Sequence, residues 1–168
     1  PYSNYTYKMT KNTKVNAAIL IIGNEILSGR TQDTNTVTLA LWLNSIGVKV
    51  NEVRVIPDNE KTIIKTTNEL RKKFNYIFTT GGIGPTHDDI TAKSISKVFK
   101  VKYEYHPEAF SILKKYYGKN NFNDGRKKMS KMPNGSNLIY NPSSAAPGFK
   151  IKNVFCLPGV PLILKSMI

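Results

Sequence analysis

Buried-strand and helix patterns alternate along the first hundred residues. The run AAILIIG (17–23) is apolar throughout and ends at glycine, which is typical of a strand buried on both faces. VKVNEVRVI (48–56) alternates apolar and polar positions, and YIFTT (76–80) is a third short strand-like run. Helical spacing and end signals predict helices at 33–47, 57–74 and 88–99. This alternation predicts an α/β fold with a parallel sheet and right-handed crossovers.

Two of these helices carry local detail. In 33–47, the spacing of Val37, Leu41 and Leu43 favours a helix, and Gly47 is placed to end it in a left-handed conformation. The segment 57–74 opens with Pro-Asp and closes on three cations, which matches the helix dipole.

The second half is less regular. HPEAFSILKKYYG (106–118) predicts a helix that stops at its final glycine, and 124–132 is a candidate short helix. SNLIY (136–140) and NVFCL (153–157) predict two further strands, and Pro161 starts a helix that is cut off after two turns. We therefore expect a segment to be missing at the carboxyl terminus.

The length of 168 residues fits a single domain. We expect that domain at 17–168, after a flexible lead at 1–16 in which Met9 is a candidate natural start. No apolar run approaches the roughly 20 residues that a membrane span needs. The single cysteine, Cys156, excludes a disulfide framework within the chain, and we expect it in the core of a cytoplasmic protein.

The charge is strongly positive and unevenly distributed. The chain carries a formal net charge of +14, with +3 in residues 1–91 and +11 in residues 92–168. Lysine outnumbers arginine 21 to 4, whereas nucleic-acid contacts usually recruit arginine as well. This pattern favours a solvated lysine-rich surface that attracts anionic small molecules over a nucleic-acid partner.

The stretch TTGGIGPTHDDIT (79–91) follows the third strand and is the principal candidate site. Gly81, Gly82 and Gly84 would let a ligand approach the backbone closely, at the sheet edge where open parallel sheets bind ligands. Asp88 and Asp89 lie beside them.

The two aspartates conflict with a bare phosphate at this loop. A carboxylate about 4 Å from a phosphate charge costs on the order of 4 kcal/mol at an effective dielectric near 20. The amino terminus of a helix stabilises an anion by only about 0.3–1 kcal/mol. Either a cation such as Mg²⁺ intervenes, or the aspartates cap the next helix, as the capping-box spacing of Thr86 and Asp89 allows.

Two further acidic residues follow neighbouring strands. Glu25 comes after the first strand and Asp58 after the second, so both are expected at the edge that carries Asp89. The alternatives are helix capping for Asp58 and a solvated position in a long loop for Glu25. His87 could contact a ligand or be exposed.

Five ordered motifs resemble the molybdopterin-binding domain family. They are IIGNEILSGRTQDTN (21–35), RVIPDN (54–59), the glycine stretch at 79–91, NPSSAAPGF (141–149) and PGVP (158–161). The likeness is strongest to the amino-terminal domain of CinA (competence/damage-inducible protein A) and the related domain of eukaryotic FAD synthase. It implies a three-layer α/β/α fold with a mostly parallel central sheet, in a homo-oligomer such as a dimer or trimer.

The resemblance also implies site residues. Asp58 and Asp89 match catalytic aspartates of related adenylyltransferases, and together with Glu25 they are candidate ligands for Mg²⁺ or another divalent cation. The ligand-binding positions implied are Gly23, Glu25, Ser28, Asn35, Thr79, Thr80, Gly81, Gly82, Gly84, Pro85, Thr86 and Asp88. Ser144 and Ala145 depart from the Gly-Thr of many relatives, and Leu162 and Ile163 stand where many CinA-like chains have a glutamate.

The activity implied is metal-dependent hydrolysis of a nucleotide diphosphate such as ADP-ribose or FAD. One alternative is a non-catalytic module that binds a pterin or nucleotide. Another is a molybdopterin adenylyltransferase, although the GRTQDTN segment (29–35) is not shared with those enzymes.

Overall fold

The computed structural model describes residues 15–168 of the chain. The strands in this range are β1 (Asn16–Ile22), β2 (Lys49–Ile56), β3 (Tyr76–Thr80), β4 (Tyr103–Tyr105), β5 (Lys131–Pro133), β6 (Asn137–Ile139), β7 (Gly148–Ile151) and β8 (Val154–Leu157). The helices are α1 (Asn24–Leu27), α2 (Asn35–Ser45), α3 (Glu60–Lys73), α4 (Thr91–Val98), α5 (Pro107–Tyr117), α6 (Asp124–Lys128) and α7 (Pro161–Met167).

The expected flexible lead at 1–16 falls almost entirely outside the described residues, and so does Met9. Asn16, by contrast, is already the first residue of β1. Its side chain accepts from the Asn75 N–H at 2.9 Å, while its own N–H donates to the Asn75 carboxamide at 3.0 Å. Regular structure therefore begins before the predicted boundary at residue 17.

The main sheet has six strands in the order β2-β1-β3-β8-β7-β6. Strands β2, β1, β3 and β8 pair in parallel, whereas β7 and β6 are antiparallel, so the prediction of a mostly parallel sheet is confirmed. Because β1 lies between β2 and β3, the chain moves to one side of β1 and then to the other. This reversal opens a crevice at the carboxyl ends of β1 and β3.

The sheet separates two hydrophobic layers. Leu20 of β1 belongs to a core cluster with Ile63 and Ile95 from α3 and α4. Its neighbour Ile19 belongs to a second cluster with Leu39 from α2 and with α7. Alternate residues of a buried strand face opposite sides, and this arrangement confirms the three-layer α/β/α fold.

Helix α2 lies within the predicted range but buries only one of the three residues whose spacing favoured it. Val37 and Leu41 are 60% and 67% exposed, whereas Leu43 is fully buried together with Leu39. The predicted end is confirmed: Gly47 has a φ of 84°, and Val48 N–H donates to the Leu43 carbonyl at 2.8 Å, as in a Schellman motif.

Two helices begin later than the sequence predicted. Helix α3 is capped by Asn59, whose carboxamide accepts from Thr62 N–H at 3.0 Å. Helix α4 begins at Thr91 and has no side-chain cap. The capping interpretation of Asp58, Asp88 and Asp89 is therefore wrong, since none of them caps either helix.

Several short elements are additions to the sequence prediction. Glu25 lies in the one-turn helix α1 and not in a long loop. Strand β7 fills part of the segment between the two predicted strands, and β4 and β5 form a separate two-stranded sheet. The candidate helix at 124–132 is limited to α6, because its last two residues already belong to β5.

The predicted end of one helix and the predicted start of another in the second half are confirmed. Helix α5 ends at Gly118, which has a φ of 76°, and α7 begins at Pro161. Cys156 is fully buried in β8, where burial raises the pKa of its thiol to about 12. Between residues 15 and 168, no helix has the length and apolar character needed to cross a membrane.

Candidate functional site

The glycine loop after β3 adopts a conformation that requires glycine at two positions. Gly81 has a φ of 97°, and a Cβ atom there would lie 2.1 Å from the Ile22 carbonyl oxygen. Gly82 has a φ of 73°, and its Cβ would lie 2.0 Å from Oγ1 of Thr91. Both the backbone conformation and the space therefore exclude any larger residue.

Thr91 fixes this loop to the start of α4. Its hydroxyl donates to the Gly81 carbonyl at 3.0 Å and its N–H donates to the Gly82 carbonyl at 2.9 Å. Thr91 was not predicted as a site residue. The signal that could have identified it is its place two residues after Asp89, at the end of the glycine stretch (79–91).

Asp89 closes a turn between the glycines and α4. Its Oδ2 accepts from both the N–H and the hydroxyl of Thr86, each at 2.9 Å. The predicted pairing of Thr86 with Asp89 thus exists, but in a turn that precedes the helix. The carbonyl of Thr86 in addition accepts from the Lys128 ammonium, which brings a cation close to the turn.

Three backbone N–H groups of the glycine loop lack a protein acceptor within the described residues. Gly81 N–H donates to the Leu157 carbonyl at 3.0 Å. Within residues 15–168, however, the N–H groups of Gly82, Ile83 and Gly84 donate to no protein acceptor. Consecutive free amides of this kind form an anion-binding concavity.

Asp58 is held in place at the end of β2 by a reciprocal contact with Asn24. Its Oδ2 accepts from Asn24 N–H at 3.1 Å, and its own N–H donates to Asn24 Oδ1 at 3.1 Å. Burial is the largest cause that raises the pKa of Asp58, and the carboxylates of Glu25, Asp89 and Asp88 raise it further. The three strand-end loops thus bring their acidic groups within electrostatic reach of one another.

Glu25 folds back over the end of β1. Its carboxylate would lie 2.5 Å from a Cβ atom built on Gly23, so the glycine provides the room that the glutamate occupies. Gly23 N–H in turn donates to the Ile56 carbonyl at 3.1 Å, which ties the β1 loop to the strand that leads to Asp58.

A cavity of about 540 Å³ opens between these loops, within the range of about 300–1,000 Å³ that is common for small-molecule sites. Glu25, Asp89 and the three loop glycines line one part of it, and Pro85 lies beside them. Asp58 is not part of the lining. Among residues 15–168, no three His, Cys, Asp or Glu side chains are arranged closely enough to hold a metal ion by themselves.

The other ligand-binding positions implied by the resemblance are distributed around the cavity and not within it. Thr79 is fully buried in β3, and Ser28 is exposed, with its hydroxyl donating to the Glu25 carbonyl at 3.3 Å. Thr80 and Asn35 border a small pocket of about 30 Å³ that also contacts Glu25. The Asp88 side chain is 80% exposed and lies 3.4 Å from that of His87, which is 93% exposed.

Four parts of the second half complete the cavity, and none of them was predicted to contribute site residues. Asn141 organises one part: its Oδ1 accepts from the N–H groups of Ser143 and Ser144, and its Nδ2 donates to the Ala146 carbonyl at 2.9 Å. The residues contributed by all four parts are Tyr117, Met129, Asn141, Ser144, Ala146, Pro158, Gly159, Val160, Pro161 and Ile163. The loop with Ser144 and Ala145 thus borders the cavity despite departing from the Gly-Thr of many relatives.

Asn35 links one of these segments to α2. Its Nδ2 donates to the Gly159 carbonyl at 2.9 Å, while its buried Oδ1 has no partner within the described residues. Asn35 thus acts on the cavity through the position of the PGVP loop (158–161).

The fold and the cavity together define the class of the protein: a three-layer α/β/α domain with a candidate small-molecule cavity at the switch point of its sheet. The chain belongs to the family described as "Probable molybdopterin binding domain", whose model matches residues 18–168. A member of this family is expected to bind a small pterin or nucleotide ligand.

Similar proteins place the chain with the CinA-like members of the family. A protein of Archaeoglobus fulgidus is 38% identical over 148 residues, which cover 88% of this chain and 63% of the relative. A CinA-like protein of Desulfosudis oleivorans is 33% identical over 158 residues, which cover 90% of this chain and 38% of the relative. The chain therefore spans less than two thirds of the length of these relatives.

Solved structures agree with this placement. The crystal structure of the protein CinA, of unknown function, from Thermoplasma acidophilum has a TM-score of 0.85 and 32% identity, and the match covers 91% of this chain and 93% of that one. The molybdopterin biosynthesis enzyme MoaB of Thermus thermophilus has a TM-score of 0.57 at 16% identity, covering 90% and 86%; this likeness shows the fold alone.

Proposed function

We propose that the protein hydrolyses a nucleotide diphosphate, such as ADP-ribose or FAD, with the help of Mg²⁺ or another divalent cation. One observation carries the proposal: free backbone amides and the carboxylates of Glu25 and Asp89 border the same cavity. The amides of Gly82, Ile83 and Gly84 suit a phosphate. The carboxylates of Glu25 and Asp89, which help to raise the pKa of Asp58, suit a cation between them and that phosphate.

The residues present fit a magnesium ion that is shared with the ligand. Mg²⁺ commonly takes one or two carboxylates and completes its shell with substrate phosphates and water, so three protein carboxylates are not required. Glu25 and Asp89 both line the cavity, and Asp89 Oδ1 is left over when Oδ2 accepts from Thr86. When bound, the ion would offset the charge of the diphosphate.

Asp58 is proposed as the general base. Burial raises the pKa of its carboxyl, which makes it a stronger proton acceptor than a fully solvated aspartate. Since Asp58 does not line the cavity, we place it one water molecule away from the reacting water. The attacking water forms a bond to one phosphorus and the P–O–P bridge breaks. ADP-ribose would yield AMP and ribose 5-phosphate, and the water's proton would pass to Asp58 and then to solvent.

The test is to follow AMP release from ADP-ribose, FAD and NAD with and without Mg²⁺. We expect Asp58→Asn and Asp89→Asn to lower turnover by at least about 100-fold, the usual contribution of a positioned acid–base group. Glu69→Gln is the matched control, because Glu69 pairs with Arg54 at a remote surface. Full turnover in both aspartate variants would contradict the assignment.

A second candidate function is binding without turnover. The observation that favours it is that residues 15–168 hold no ready-made group of three metal-binding side chains. Saturable binding of AMP or ADP-ribose with no AMP release at any Mg²⁺ concentration would support this module and exclude the hydrolase.

A further inference from the structure

The lining of the cavity of about 540 Å³ combines two kinds of group. The free amides of the glycine loop, with Glu25 and Asp89, suit a phosphate and a cation. Tyr117, Met129 and Ile163 add aromatic and apolar surface to the same cavity. A ligand that contacts both sets must join an anionic group to an apolar one.

Tyr117 is the aromatic residue among the residues that line this cavity. It is the last residue of α5, and the chain turns immediately after it at Gly118, which has a φ of 76°. The end of the helix therefore places the phenol ring at the cavity wall and leads the following loop away from it.

Arg126 holds the ring of Tyr117 in position. Its guanidinium carbon lies 4.2 Å from the ring centroid, within cation–π distance. The guanidinium itself is fixed, since it donates to the Asn121 carbonyl at 2.6 Å, and the Tyr116 ring adds an edge contact at 5.0 Å. A ring that is already immobilised loses little entropy when a ligand meets it.

We propose that Tyr117 binds the planar heteroaromatic ring of the ligand and thereby selects nucleotides over sugar phosphates. Aromatic rings in contact prefer offset-stacked or edge-to-face geometry, and Met129 adds a polarisable sulfur to the same cavity lining. The inference rests on the proposed function in one respect, namely that the phosphate occupies the glycine loop. It adds the class of group that the aromatic part of the lining binds and the residue that recognises it.

The experiment compares AMP with ribose 5-phosphate by calorimetry on the whole protein. Both ligands carry the same phosphate and ribose, and they differ by the adenine ring. We expect the protein to bind AMP about 5- to 100-fold more tightly than ribose 5-phosphate, the range that base–aromatic contacts commonly give. Tyr117→Ala should remove this preference by weakening AMP alone, and Tyr117→Phe should keep it.

The controls separate ring recognition from folding. Tyr76→Ala removes a 37% exposed tyrosine at the start of β3, outside the cavity lining, and should leave the AMP preference unchanged. Tyr117→Leu keeps apolar volume without an aromatic ring, so it should stay folded and lose the AMP preference. It therefore provides the test if Tyr117→Ala does not fold. An AMP preference that survives in Tyr117→Leu would overturn the proposal.

The result is distinguishable from a failure of the proposed function. A Tyr117-dependent preference for AMP without any hydrolysis of ADP-ribose would support ring recognition and exclude the hydrolase. Hydrolysis with equal affinity for AMP and ribose 5-phosphate would support the hydrolase and overturn ring recognition. Binding of neither ligand would overturn both.

Discussion

For Asp58, the sequence alone left two roles open, namely capping a helix and taking part in ligand chemistry. Asp58 follows β2 directly and precedes α3, so capping and ligand chemistry were equally compatible with its place in the chain. The structure assigns the cap to Asn59 and leaves Asp58 half-buried, with a raised pKa and other carboxylates nearby. A charged carboxylate in such surroundings is expected to lower the free energy of unfolding, a cost that is common at functional sites.

Asp58→Asn is therefore expected to stabilise the protein near neutral pH. Because the pKa of Asp58 is raised above its ordinary value of 3.8, the folded state keeps a proton that the unfolded chain has already lost. Stability consequently falls as pH rises through this interval. Asparagine can still accept from Asn24 N–H but carries no charge. Urea midpoints should be higher for the variant at about pH 7 and converge with the wild type toward about pH 3.

An unchanged or lower urea midpoint for Asp58→Asn near neutrality would contradict this account of Asp58. A gain that persists undiminished in acid would also contradict it, since the effect would then not arise from ionisation.

The glycine loop allows a second test at the level of single residues. Gly82→Ala places a Cβ atom 2.0 Å from Thr91 Oγ1 at a φ of 73°, whereas Gly135→Ala has a φ of 88° and nothing within 4 Å. The left-handed backbone should cost each variant about 1–2 kcal/mol. The collision should cost Gly82→Ala about 1–3 kcal/mol more. Free energies of unfolding in urea measure the difference, and equal losses would show that the loop yields freely.

At the scale of elements, the sequence predicts a helix or strand correctly where the local apolar pattern allows one arrangement alone. The side chains of the continuous apolar run of β1 are all buried only if layers cover both faces of the sheet. The sequence therefore predicted a strand buried on both faces in a parallel sheet. Helix α2 is different, because Val37 and Leu41 form one i, i+4 pair and Leu39 and Leu43 form another on the opposite side. Both faces are apolar, and only tertiary packing selects the second pair.

Short paired elements were missed for a related reason. Strand β7 begins at Gly148, where a Cβ atom would lie 2.5 Å from the Cys156 carbonyl oxygen, so its glycine reflects close pairing with β8. In sequence it only looks like part of a loop rich in Pro, Ser and Ala. The position of Tyr117 in the cavity lining was not predicted, because it depends on how α5 and α6 pack together. The hydrophobic periodicity of the sequence does not indicate that contact.

The cap of α3 gives a prediction at this scale. Asn59→Ala removes the carboxamide that accepts from Thr62 N–H at 3.0 Å, so we expect a loss of about 1 kcal/mol in the free energy of unfolding. Asn59→Asp retains an acceptor at the same place and should retain nearly all of that stability. Chemical denaturation followed by circular dichroism measures both, and an unaffected alanine variant would contradict the assigned cap.

Considered as a whole molecule, the protein combines an acidic site with a strongly basic remainder. Its formal net charge is +14, and the excess lies in residues 92–168, the half that contributes α5 and α6. Lys128 of α6 donates to the Thr86 carbonyl beside the glycine loop, and burial is the main cause that lowers its pKa. Lys128 therefore places a basic group beside the glycine loop, where the carboxylates would otherwise repel an anionic ligand.

This charge distribution predicts that ligand affinity depends on salt through the phosphate and not through the ring. Between about 0.05 M and about 0.5 M NaCl the Debye length falls severalfold, so the attraction of the lysine-rich half for AMP should weaken and the affinity should drop by about 3- to 10-fold. Adenosine carries the same ring without the phosphate, and its weaker binding should change little over the same range. Calorimetric titrations of both ligands give the comparison. If adenosine lost affinity in parallel with AMP, salt would be acting on the cavity itself, and the basic surface would have no part in attracting the ligand.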